Sequence, residues 1–180
     1  GSGCLAYPSA ATYDVTHTTL YVSVPKGQGR NTLAVNVSGQ TVSTTIDYGT
    51  PTLEKLTPSE AGTAGGTILN LTGTQFGIGS KYVLSLGTDS DGNTYCTSAG
   101  SCDKTLEVLN YTDTWITFLS PAGQSNGALS LSLRVCANAN DVATDGSTCF
   151  TSSSTSASRR KLAASASVTF TFKDPYVTYL

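Results

Sequence analysis

One stretch of this chain occurs twice, and the spacing of the two copies constrains the fold more than any other feature. Pro25-Lys26-Gly27-Gln28, followed by Leu33, Val35 and Val37, returns 96 residues later as Pro121-Ala122-Gly123-Gln124, followed by Leu129, Leu131 and Leu133. Tyr48 and Pro51, with Leu53 and Leu56 behind them, return 124 residues later as Phe172 and Pro175, with Val177 and Leu180. Repetition of this kind marks modules joined in tandem. The growth from 96 to 124 puts 28 extra residues into the second copy, within the region 136–166.

The repeating unit reads as β throughout. Apolar residues alternate with polar ones in residues 67–72 (TILNLT), 82–86 (YVLSL), 115–119 (WITFL), 128–135 (ALSLSLRV) and 167–172 (SVTFTF). Such a period of two suits half-buried strands, and no helical run of ten residues competes with it. Gly and Pro interrupt the runs at short intervals, as in a β-sandwich. Asp89-Ser90-Asp91-Gly92-Asn93 has the chemistry of a hairpin turn. The Ser/Thr-rich stretch 144–166, with its basic knot Arg159-Arg160-Lys161, reads as a long solvated loop.

Charged residues make up 12% of the chain and the net charge is −2, about half the usual charged share. Neither a basic face for nucleic acid nor a polybasic patch for anionic lipid can be built from that. No run approaches the roughly 18–20 apolar residues of a membrane span, so no membrane insertion is expected. The polarity comes from hydroxyls: 52 of the 180 residues are Ser or Thr. In a secreted protein these can carry O-linked sugar. The chain starts at Gly1 and lacks Met, as either a processed product or a piece of a longer protein would.

Five cysteines occur, and the single histidine is His17. Neither Cys96–Cys102 nor Cys136–Cys149 has the spacing of a zinc site. Disulfides are the expected use, paired 96–102 and 136–149, and they imply an oxidising compartment. Cys4 is then left either as a free thiol or as a link to another chain.

Several of these blocks together resemble a known family. Pro51-x-Leu53-x-x-Leu56-x-Pro58, then Gly65-Gly66-Thr67-x-Leu69-x-Leu71-x-Gly73-x-x-Phe76-Gly77, is similar to the opening of an IPT/TIG domain. Tyr111 to Gly123, with Ile116, Phe118 and Pro121, is similar to its middle strand and turn. Phe170-x-Phe172-x-x-Pro175 resembles its closing strand. The resemblance implies an immunoglobulin-like β-sandwich of the sort found in tandem in surface receptors and adhesins, and singly in transcription factors. A basic face is absent, so the extracellular branch is expected.

On this reading residues 51–172 form one complete module with a disulfide-bearing insertion at 136–166. Residues 1–50 match only the second half of such a module, and 173–180 match the first strand of another. Half a sandwich exposes an apolar face and unpaired edges. Either the chain is cut from a longer array, or a neighbour's terminal strand completes the deficient half and builds a head-to-tail homo-oligomer. In the second case Pro175, Tyr176, Val177, Tyr179 and Leu180 are the donor residues, and Leu33, Val35 and Val37 the acceptor.

Three Asn-x-Ser/Thr sequons begin at Asn36, Asn70 and Asn110. Asn36 and Asn70 each lie between two apolar residues of a strand and therefore point outward. In a secreted eukaryotic protein they are expected to carry N-glycans; in a bacterial one they are ordinary strand residues. Trp115 falls out of phase with Ile116 and Phe118. It either stacks on a sugar, anchors a partner, or sits half-buried at a sheet edge. Asp89, Asp91 and Asn93 lack the twelfth-position glutamate of a calcium loop, Gly100 standing there, so a plain turn is favoured. Nucleophile–base pairs and phosphate loops are not detectable, and neither an enzyme nor a cofactor beyond covalent glycan is expected. The reading reached is a structural subunit of an extracellular, glycosylated filament or coat. The alternative is an adhesion or receptor fragment binding protein or carbohydrate. A sugar-binding accessory module would need more exposed aromatics than Trp115.

Overall fold

The computed structural model describes residues 19–79, 81–97, 102–124, 127–137, 148–152 and 167–173. The protein is all-β, an immunoglobulin-like sandwich with an extra hairpin in front of it. The hairpin is β1 (Arg30–Val37) and β2 (Gln40–Asp47), antiparallel and forming a two-stranded sheet of its own. It turns at Ser38 and Gly39, whose φ values of 51° and 84° suit the tight two-residue turn that matches strand twist.

One sheet of the sandwich runs β3 (Thr52–Thr57), β5 (Ile68–Thr74), β10 (Trp115–Leu119), β9 (Val108–Tyr111). The other runs β4 (Glu60–Ala61), β13 (Thr169–Phe172), β11 (Leu129–Cys136), β6 (Tyr82–Thr88), β7 (Thr94–Cys96), β8 (Lys104–Thr105). Strand β12 (Cys149–Thr151) also pairs with β11. Each sheet turns its alternate residues inward. Leu69, Leu71, Ile116 and Phe118 from the first meet Leu84, Tyr95, Leu133 and Phe170 from the second, all in one buried cluster. Each such side chain contributes about 1.5–3 kcal/mol when taken out of water. The entry to β5 is a tight turn at Gly65 and Gly66, both at positive φ. A Cβ on Gly65 would lie 2.6 Å from the Ala122 nitrogen, so the chain passes too close there for any side chain.

One expectation needs correcting. The stretch 144–166 is not loop throughout, because Cys149–Thr151 is strand β12, with Arg134, Val135 and Cys136 opposite Thr151, Phe150 and Cys149. The Cys136–Cys149 disulfide therefore fastens two directly paired strand residues, at the end of β11 and the start of β12. Arg159, Arg160 and Lys161 lie outside the described residues, as do Cys4, His17 and the donor residues Pro175, Tyr176, Val177, Tyr179 and Leu180.

The Asp89–Asn93 turn is held from within. Asp89 Oδ1 accepts hydrogen bonds from the Asp91 and Asn93 backbone, and Oδ2 accepts from the Tyr95 hydroxyl and the Asn93 amide. Desolvation raises this carboxyl, but the bonds from Tyr95, Asn93 and Asp91 outweigh it and bring it down to about 2. A folded-state value below the unfolded one, about 3.9, gives stability that is full above pH 4 and lost as pH falls through 2. Urea midpoints measured from pH 5 to 1.5 should follow that course. In Tyr95→Phe, which removes one of the bonds, the loss should begin at the same pH, be smaller, and be complete at higher pH.

Candidate functional site

Two surfaces stand apart from an ordinary sandwich: the front hairpin with its joint, and the outer face of the β3–β5–β10–β9 sheet. The hairpin is amphipathic across its own thickness. Register pairs Leu33 with Thr44, Val35 with Val42, Val37 with Gln40 and Asn31 with Ile46, so Leu33, Val35, Val37, Val42 and Ile46 share one face. The opposite face carries the Arg30–Asp47 ion pair at 2.7 Å, Thr32, Thr45, Ser43 and the Asn36–Thr41 pair. The apolar face is poorly covered. Val37 is 65% and Val42 69% exposed, and Leu33 and Val35 are half-buried. Their counterparts in the repeat, Leu129, Leu131 and Leu133, are at most 7% exposed. Leu20, Tyr21, Val22 and Val24 add further exposed apolar surface ahead of the hairpin.

A buried glutamine joins hairpin and sandwich. Gln28 Nε2 donates to the carbonyls of Lys81 (3.1 Å) and Cys136 (2.9 Å). Its Oε1 accepts from the Ile78 and Gly79 nitrogens, each at 2.9 Å. The next residue, Gly29, has φ 66° and presses on the backbone at 137 and 148, where a Cβ would lie 2.3 Å from the Ala137 nitrogen. Arg30 then donates its backbone N–H to Thr148 O at 3.0 Å, and its guanidinium lies 5.8 Å from the Phe150 ring centre. Sequence reasoning saw Gln28 only as part of a repeated turn and missed this role. Its mate Gln124 instead donates at the surface to Asp91.

The outer sheet face is polar across its middle, with one aromatic there and exposed Ile68 and Leu109 on β5 and β9. Thr57, Asn70, Thr117 and Asn110 lie opposite one another across β3, β5, β10 and β9. The next row holds Lys55, Thr72 and Trp115. Two of the three sequon asparagines therefore flank a single threonine, on strands 40 residues apart in the chain. Asn70 and Asn110 are exposed and Trp115 is half-buried, beside a shallow depression of about 460 Å3 bordered by Glu54, Asn70, Thr72, Thr114, Trp115 and Thr117. Asn110 Oδ1 accepts from the Tyr111 N–H at 2.7 Å. The third sequon asparagine, Asn36, is exposed on the polar hairpin face and donates to Thr41 Oγ1 at 2.8 Å.

Cys96 is bonded to Cys102 and Cys136 to Cys149. Among the described residues no three His, Cys, Asp or Glu side chains are grouped to hold a metal. Asp89 has its carboxylate committed to the turn.

Residues 51–152 match the family model described as the IPT/TIG domain. No curated protein matches the chain.

Proposed function

Since the chain belongs to the IPT/TIG domain family, with 51–152 as its matching module, we propose that it is a structural subunit of an extracellular, glycosylated filament or surface coat. Residues 173–180 of one copy complete the apolar hairpin face of the next. The observation that carries this reading is the contrast within the repeat: Val37 is 65% exposed, whereas Leu133, its counterpart, is fully buried. An amphipathic hairpin with two strands and one apolar face is stable only when something covers that face. The residue pattern at 175–180 repeats that of β3, a strand that already packs on such a face in the complete module. Two disulfides suit an oxidising compartment. The polar hairpin face, with Asn36, is left to solvent and sugar. The work done is mechanical, without catalysis.

Electron microscopy and sedimentation of the purified chain test this. Polymers that lengthen with concentration are expected, together with their loss in Val35→Asp while the sandwich keeps its thermal transition. A monomer at every concentration, unaffected by Val35→Asp, would overturn the filament. An adhesion or receptor ectodomain fragment would then be the better reading. The half-buried Trp115 beside its polar depression is the feature that favours that alternative.

A further inference from the structure

The depression beside Trp115 lies next to the Asn70 side chain, which makes no hydrogen bond among the described residues. Asn70 faces Thr117, and Trp115 faces Thr72, so the asparagine and the tryptophan are diagonal neighbours on the same sheet face. Diagonal positions of this kind are roughly 7–8 Å apart, within reach of a long or aromatic side chain. A sugar ring joined to the amide spans that gap. An indole offers its apolar face to the C–H face of the ring. Thr72, Thr114, Thr117 and Glu54 ring the depression with hydroxyls and one carboxylate, partners for the sugar's own hydroxyls.

We propose that Asn70 carries a glycan whose first sugars lie across Trp115 and fill this depression, so that the indole is occupied by the chain's own sugar and not by an outside partner. This rests on the reading of the protein as glycosylated. Attachment forms a bond from Asn70 Nδ2 to the anomeric carbon of a diphosphate-activated oligosaccharide. The carbon–oxygen bond to the diphosphate breaks, and the diphosphate leaves. The amide gives up one proton to solvent and keeps the other. Asn110 sits in the same cross-strand row, so sugar there would crowd the same face and further exclude a protein partner.

Trp115 is the only tryptophan in the chain, so its fluorescence reports this site alone. The full chain is secreted from a glycosylating eukaryotic host, and glycopeptide mass spectrometry measures occupancy at Asn70. The sugars are then removed enzymatically from the folded protein. The expected result is a red shift of the emission and about a twofold rise in acrylamide quenching. Asn70→Gln should start in the shifted state, while Asn36→Gln should behave as the unaltered protein does. In a cycle of Trp115→Ala with Asn70→Gln, the effects on the unfolding constant should be coupled by about fivefold, from an aromatic contact of about 1 kcal/mol. An unoccupied Asn70 would sink both this inference and the glycan reading at that residue. An occupied Asn70 with unchanged fluorescence on sugar removal sinks the stacking alone.

Discussion

Gln28→Ala is expected to undock the front hairpin while leaving the sandwich folded. The substitution deletes four hydrogen bonds at a buried position: two to the carbonyls of Lys81 and Cys136, two from the nitrogens of Ile78 and Gly79. At about 1 kcal/mol net for each, the docking loses about 4 kcal/mol. That is close to a thousandfold in the local opening equilibrium. A two-stranded hairpin on its own is marginal in water, so β1 and β2 should lose their structure once the contact is gone. Native-state hydrogen exchange reads this directly. Amides of 30–47 should lose protection by about three orders of magnitude, and those of Leu69, Leu71 and Phe118 should keep theirs. Gln28→Glu should do at least as much harm, since a carboxylate has no N–H for the two carbonyls and brings charge against them. If 30–47 remain protected in both variants, the joint lies elsewhere.

Replacing both Cys136 and Cys149 by Ser should lower global stability by about 3 kcal/mol, as loop-closure entropy gives for a bridge of this span. The Cys96–Cys102 bridge closes a shorter loop, 6 residues against 13, and its removal should cost about 2 kcal/mol by the same relation. Denaturant titration of the two double-serine variants decides the order. The two changes should also differ in kind. Loss of the first frees β12, and with it Thr148 and Phe150, both of which touch Arg30. Exchange protection of the hairpin should therefore fall in that variant and stay unchanged in the other. Equal behaviour in the two would show that β12 plays no part in holding the hairpin.

What the sequence discloses follows from how local each determinant is. Alternation in residues 69–71, 116–118 and 129–133 announces strands and their inner faces, because burial of Leu and Phe at every second position needs no distant information. The exposure of Asn70 and the half-buried, outward setting of Trp115 come from the same phase argument. The row Asn70–Thr117–Asn110 does not, since it depends on register between strands far apart in the chain. That register is set by which apolar residues share the core, as Leu69 with Phe118 and Leu71 with Ile116. Strand β12 was hidden for a related reason. Three residues in a Ser/Thr-rich stretch carry no pattern of their own, and they pair only because β11 and a disulfide hold them there. Gln28 is the sharpest case. The same Pro-x-Gly-Gln turn occurs at 121–124, yet one glutamine is buried in a joint and the other bonds Asp91 at the surface. Tertiary neighbours alone distinguish them.

The Thr148 carbonyl accepts N–H bonds from both Arg30, at 3.0 Å, and Ala137, at 3.2 Å. Tension applied along the chain through the front hairpin would thus enter the sandwich one residue from a covalent crosslink. Force spreads from there into β11, the strand that pairs with β6, β12 and β13. The joint, the Gln28 bonds and the Arg30–Thr148 bond together, is non-covalent and would give way before the ladders of β11. Stretched end to end, the molecule would extend at its seam and keep its core intact.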